Sequence, residues 1–328
     1  MTFVHINPGT STWSTRTDVN GYSVMIFFID VLGRASVPAL SVISGFLLVH
    51  SARKNSKWPS HIKSKFKKLV VPLICWNIII VVFSLMVFYI TSVKTSQMRD
   101  LVSEPLTILR CIDLLTGINY NSITEPLNFL RDIFVCSIVS PLLIYFCRRN
   151  KEAFVVLVWL ICLNYDIKPL IMRDSILMFF SIGIALATSG SSLFKLDENK
   201  LNILLASLIS VLFSFYIMES ITIQLLTEIV FRLIIALLFI VSSFYIASIF
   251  SLNNSRKIGQ YSFPLYLSHS ILFSVQWGIW QTLFEKEVSD NYIIFFSIVP
   301  CSTVLFVILL YKTQKISLPS FSRFLWGK

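Results

Sequence analysis

The chain alternates long unbroken apolar runs with short polar segments. The runs fall at residues 35–52, 67–93, 126–147, 152–165, 169–188, 200–218, 223–250, 260–284 and 291–311. A hydrocarbon core of ~30 Å takes about 20 helical residues, and most of the nine runs have that length. The 152–165 run is short and reads as tilted or partly interfacial. Apolar positions are continuous within each run. Membrane strands would instead show short segments of alternating hydrophobicity. The pattern predicts an all-α fold, a polytopic integral membrane helical bundle.

The first residues, Met1-Thr2-Phe3-Val4-His5-Ile6-Asn7-Pro8, read as the last turn of a further span whose beginning is absent. They have neither the basic start nor the small-residue cleavage site of a signal peptide. The expectation is about ten spans with the first incomplete, through a truncated chain or a misplaced start, and a single integral membrane domain over residues 1–328.

Composition supports this reading. Of 328 residues, 55% are hydrophobic and only 14% charged, and the mean hydropathy is +0.75. A soluble domain carries about 25% charged residues, so this chain lacks the polar surface to cover itself in water.

Charge then sets orientation. With nine runs, alternate connections share a side. One side collects Arg53, Lys54, Lys57, Lys63, Lys65, Lys67, Lys68, Arg148, Arg149, Lys151, Lys195, Lys200, Arg256, Lys257 and the basic residues of the tail, 18 in all, against 7 on the other. Basic loops stay in the cytoplasm, which predicts a cytoplasmic C-terminus and places His5 and residues 7–34 outside. The net charge of +11 sits beside apolar runs, where topology and anionic lipid account for it. Nucleic acid is not an expected partner; membrane lipid is.

Candidate chemistry is sparse. The six cysteines show no metal-ligand spacing and read as small packing residues. There is no P-loop, dinucleotide fingerprint or H-E-x-x-H motif, and no metal site is expected. Polar residues inside apolar runs carry the signal, because burying them in lipid is expensive. They are His5, Asp30, Arg34, Arg131, Asp132, Glu228, Arg232 and His269. Glu228 and Arg232 are spaced as partners on one helix face, which favours a structural pair. Arg131 and Asp132 are sequence neighbours, so they are expected to point to different faces and not to neutralise each other. His5 is either a structural boundary histidine or a general base. The segment Tyr261-Ser262-Phe263-Pro264-Leu265-Tyr266-Leu267-Ser268-His269 either lines a polar cavity or pins a helix kink.

Four segments together resemble a known family. They are Phe3-Val4-His5; Val37-Pro38-Ala39-Leu40-Ser41-Val42-Ile43-Ser44-Gly45-Phe46-Leu47-Leu48, followed by a basic loop and Lys67-Lys68-Leu69-Val70-Val71-Pro72; Leu127-Asn128-Phe129-Leu130-Arg131-Asp132-Ile133-Phe134-Val135; and Tyr261 to His269. In this order they resemble the membrane acyltransferases that include bacterial O-antigen and exopolysaccharide O-acetylases.

The resemblance implies a ten-helix enzyme of the bacterial inner membrane, with no bound cofactor. Such an enzyme takes an acyl group, acetyl in the usual case, from cytoplasmic acyl-CoA. It passes the group to a hydroxyl of a sugar or lipid-linked glycan. The family histidine, which activates the acceptor hydroxyl or relays the acyl group, maps to His5. A family arginine eleven residues earlier has no counterpart here.

Acyl transfer needs a base and donors for an oxyanion. Arg34, Arg131 and Ser44 are the candidate donors or thioester contacts, and Tyr266 and His269 candidate substrate-binding residues. The 53–68 loop, with Lys67 and Lys68, either binds the CoA phosphates or only sets topology. The rival class is a non-enzymatic transporter or flippase of envelope glycolipid.

Overall fold

The computed structural model describes Met25, Ile29 and residues 33–54, 58–91, 101, 105, 107–119, 122–190, 232–243, 257–284 and 292–327. His5, Asp30 and Glu228 lie outside the described residues, as does the 200–218 run. Among the described residues the chain is helical throughout, without a strand.

The helices, in order, are α1 (Ser36–Lys54), α2 (Trp58–Lys65), α3 (Val71–Thr91), α4 (Ile108–Thr116), α5 (Asn128–Arg149), α6 (Lys151–Asn164), α7 (Asp174–Thr188), α8 (Ser262–Leu283), α9 (Tyr292–Ser317) and α10 (Pro319–Leu325). A π-helical turn, Phe66–Val70, joins α2 to α3, and an apolar helical stretch covers Arg232–Ser243. Among the described residues, three helical segments are long and apolar enough to cross a membrane: Trp58–Ile90, Glu125–Arg149 and Ile293–Ser317. Ser36–Ala52, Asp174–Thr188 and Arg232–Ser243 are apolar but shorter.

The chain divides into two compact units, residues 1–40 with 191–311 and residues 41–190 with 312–328. In the second unit, α5, α6 and α7 pack on one another. Helix α6 shows how the sequence chooses its buried side. Phe154, Val158 and Cys162 recur every fourth residue, which puts them on one stripe, and they are its buried residues. Val156, Leu157, Leu160, Ile161 and Leu163 point outward. So large an apolar face is not a water-facing surface; hydrocarbon suits it.

Helices α1 and α7 approach closely. A Cβ built on Gly45 would stand 2.3 Å from the Phe180 carbonyl oxygen, and one on Gly183 would stand 2.1 Å from that of Val42. Two glycines let the backbones touch, the small-residue packing that apolar solvents favour. Serines inside these helices bond their own backbone: Ser137 Oγ donates to Ile133 O (2.8 Å) and Ser181 Oγ to Met178 O (2.6 Å). Neither hydroxyl is left unsatisfied in a medium without water.

The C-terminal segment closes this unit from below α3. Helix α10 packs on α3, and Trp76 Nε1 donates to Leu325 O at 3.2 Å. The Trp76 and Trp326 rings lie 5.3 Å apart, and Trp326 is fully buried. Gly327 has φ +63°, and a Cβ there would come within 2.6 Å of Lys68 O; only glycine suits both the conformation and the space.

The first unit is aromatic. Met25, Ile29, Phe273, Phe295, Phe296 and Val299 form its buried cluster, with Trp277 and Trp280 against them. One polar chain links α8 and α9: Gln276 Nε2 donates to Thr303 Oγ1 (2.9 Å), and Ser302 Oγ donates to Gln276 Oε1 (2.6 Å).

Two expectations change here. The 94–125 connection contains a helix, α4, capped by Thr107 and ended by Gly117 at φ 67°. And the 169–188 run does not become helix until Asp174, because its first residues are used elsewhere.

Candidate active site

Those first residues meet the start of α5. The carboxylate of Asp132, fully buried, accepts from Met172 N (3.1 Å) and Arg173 N (3.3 Å). Arg131 Nη1 donates to Asp132 Oδ1 at 3.0 Å. Arg131 Nη2 donates to Ile118 O (2.9 Å) and to Pro169 O. The neighbours therefore do neutralise each other, contrary to the expectation from helix geometry. Adjacent helical positions diverge at Cβ, but the arginine side chain is long and flexible and curls back to the carboxylate. Three of the five guanidinium N–H groups are engaged within the chain.

The loop that supplies Ile118 O is itself built for the purpose. Gly117 N–H closes α4 onto Asp113 O (2.6 Å), Asp113 Oδ1 accepts from Asn119 N (2.9 Å), and Asn128 Oδ1 accepts from Ser122 N (2.9 Å). Arg131 and Asp132 thus clasp two connections, 117–124 and 168–173, to the first turn of α5. Charges in a low-dielectric interior persist only with such full pairing.

Ser44 is half-buried on α1, beside the Gly45 contact with α7. Lys67 and Lys68 are exposed in the π-turn. The helix that holds them runs 33 residues, Trp58–Ile90, about 50 Å at 1.5 Å per residue. That exceeds a ~30 Å core, and α3 is its apolar part. In α2, His61 is buried and stacks on Trp58 at 5.3 Å.

Arg34 is an exposed turn residue whose N–H bonds Ile29 O at 3.2 Å. Tyr266 and His269 lie one turn apart on α8, half-buried and buried. His269 Nδ1 donates to Tyr266 O at 2.6 Å, and Ser268 Oγ to Pro264 O at 2.9 Å. Pro264 is in the first turn of α8, where its missing N–H costs nothing. Ser268 Oγ and His269 Nδ1 thus bond their own helix, and the proline stands in its first turn.

Arg34, Tyr266 and His269 belong to the first unit; Ser44, Lys67, Lys68 and Arg131 belong to the second. Among the described residues no cluster of His, Cys, Asp and Glu could hold a metal ion. The sequence reading missed three features. The Gly45–Gly183 contact was signalled only by glycine inside apolar runs. The Trp326–Gly327 closure was signalled only by a tryptophan in a polar tail. The basic end of α5, Arg148–Arg149, counted only toward topology.

These features fall within one family match. Residues 1–312 match the family described as an acyltransferase domain, family 3, and the chain belongs to it. All four segments from Phe3 to His269 lie inside that range. The chain is similar to the succinoglycan biosynthesis protein ExoH of Rhizobium meliloti (strain 1021). The two are 26% identical over 208 residues, 60% of this chain and 53% of that protein. The chain thus spans about half the length of that relative. No solved structure matches the chain.

Proposed function

We propose that this chain is an integral membrane O-acyltransferase of about ten spans, acting as one catalytic domain over residues 1–328. It transfers an acyl group, acetyl by preference, from acyl-CoA to a hydroxyl of an envelope polysaccharide or its lipid-linked precursor. The observation that carries the reading is the acyltransferase match over residues 1–312. The relative named for succinoglycan biosynthesis supports a polysaccharide acceptor. The basic loops support an inner-membrane protein with its C-terminus in the cytoplasm.

In this reading His5 takes the proton from the acceptor hydroxyl. The oxygen attacks the thioester carbonyl, and the tetrahedral oxyanion collapses with loss of the CoA thiolate, which takes up the proton. Arg34 and Ser44 serve as donors to the acyl group. Arg131 contributes its remaining N–H groups and holds two loops in place. Tyr266 and His269 face the acceptor, and Lys67 and Lys68 the donor phosphates.

The test is incorporation of label from radioactive acetyl-CoA into polysaccharide by membranes carrying the chain, with His5→Ala beside it. Label in the wild type and a loss of at least about 100-fold in the variant is the expected result. Full activity in the variant removes His5 from the mechanism. Wild-type membranes that move glycolipid without labelling it overturn the proposal in favour of a transporter.

A further inference from the structure

Helix α4 belongs to a connection that the charge count places on the outer side, yet it packs on α3 partway along that helix. One side chain fixes the contact. Asn77 Nδ2 donates to Leu115 O at 2.8 Å. Leu115 is in the last turn of α4, where backbone carbonyls lack intrahelical partners. Asn77 is fully buried, so the bond is made inside the fold.

Position along α3 gives the depth. Helix α3 has 21 residues, about 31 Å at 1.5 Å per residue, which matches a ~30 Å hydrocarbon core. It contains no charged residue; Lys68 precedes it and Lys94 follows it in sequence. Asn77 is about 9 Å from the Val71 end and about 21 Å from the Thr91 end by helical rise. Cys111 and Ile112 lie within about 6 Å of Leu115 along α4. That is less than the distance from Asn77 to either end of α3, so both residues fall inside the span.

The surface of α4 agrees with this depth. Ile108, Leu109 and Ile112 are 82%, 76% and 44% exposed, and Cys111 is exposed beside them. Ile108 and Ile112 are one turn apart with Leu109 and Cys111 flanking them, so they make one outward stripe. The inward side holds the acid: Asp113 is buried, and its carboxylate accepts from Asn119 N and Nδ2. Thr116 Oγ1 donates to Ile112 O at 2.7 Å, which satisfies that hydroxyl without water. A helix on an aqueous loop turns its apolar stripe inward; this one turns it outward.

We propose that α4 is a re-entrant helix, with the face made by Ile108, Leu109 and Ile112 against lipid acyl chains. Its nine residues are too few to cross the core. The turn at Gly117 that ends α4 then delivers Ile118 O to Arg131 from within the membrane. The inference rests on the proposed function only in taking α3 as a membrane span; it requires no acyl transfer.

The experiment places a nitroxide on Cys111 of the full chain in phosphatidylcholine nanodiscs, with the other five cysteines replaced by alanine. Power-saturation EPR compares its accessibility to oxygen, which concentrates in hydrocarbon, and to nickel-EDDA, which stays in water. Ile78→Cys, in the same background with Cys111→Ala, is the hydrocarbon reference, because Ile78 is 45% exposed on α3 next to Asn77. The expected result is a Cys111 label reached by oxygen and not by nickel, as at Ile78→Cys. Nickel reaching Cys111 but not Ile78→Cys makes α4 an aqueous loop and overturns the proposal. A Cys111 label reached by neither is covered by protein, this chain or a second copy, and overturns the lipid assignment. Nickel reaching both removes α3 as a span and the proposal with it.

The unsubstituted chain gives a second measurement. In nanodiscs whose phospholipid carries a diazirine in its acyl chain, irradiation is expected to attach lipid to residues 108–116 as well as to α3. Adducts on α3 with none on residues 108–116 overturn the proposal and leave the span standing.

Discussion

The two ends of α5 carry the same kind of charge in opposite circumstances. At its first turn Arg131 is buried, paired with Asp132 at 3.0 Å, and bonded to the carbonyls of two loops. About 26 Å further along, by helical rise over the 17 residues to Arg148, Arg148 and Arg149 stand exposed beside a shallow groove. Three of the first arginine's N–H groups are taken up by the fold. Of the last two, Arg149 bonds only the Tyr145 hydroxyl on its own helix and lies over that ring. An arginine in a membrane protein is therefore not informative by its presence. What separates structure from ligand binding is where its N–H groups go.

The largest expected effect breaks or upholds that contrast directly. Arg131→Ala leaves a buried carboxylate without its cation and two carbonyls without donors. A loss of roughly 3–5 kcal/mol is expected, read as a large drop in melting temperature in detergent. Proteolysis should then appear in the 117–124 and 168–173 connections. A variant that melts like the wild type would make the two ends of α5 energetically alike.

Next is the C-terminal closure. Trp326→Ala removes a fully buried ring from against Trp76 and should cost about 3 kcal/mol, measured the same way. A smaller effect is expected where α1 meets α7. Gly45→Ala forces a methyl against the Phe180 carbonyl and should cost about 1–3 kcal/mol. Because Gly183 sits in the same crossing, the double variant should not be additive. The smallest effect sharpens the comparison. Arg148→Gln/Arg149→Gln is expected to change stability by no more than about 0.5 kcal/mol, because both side chains are exposed.

The span pattern was legible because lipid imposes length and hydrophobicity on a helix. The runs at 35–52, 152–165 and 260–284 became α1, α6 and α8 with ends shifted by no more than two residues. The run at 169–188 misled because Leu170, Ile171 and Met172 are apolar yet loop-bound; the backbone of Met172 and Arg173 is held by a carboxylate 40 residues away. Helix α4 was hidden because it is short and carries Arg110 and Asp113, which read as loop residues.

The family was legible from ordered motifs. The fate of its arginine was not. Adjacent residues on a helix point apart at Cβ, and only the reach of a long side chain, fixed by tertiary carbonyls, brings Arg131 onto Asp132. The Arg148–Arg149 groove was invisible for a related reason. The two arginines counted toward topology alone, and only the fold brings Trp58 of α2 and Tyr145 of α5 beside them.

The most direct measurement is mass spectrometry of the envelope polysaccharide from cells with and without the gene. The account predicts repeat units that carry an added acyl mass in the first and lack it in the second, with the sugar backbone unchanged. Identical acylation in both, or loss of the polymer itself without any change in its acylation, would contradict it.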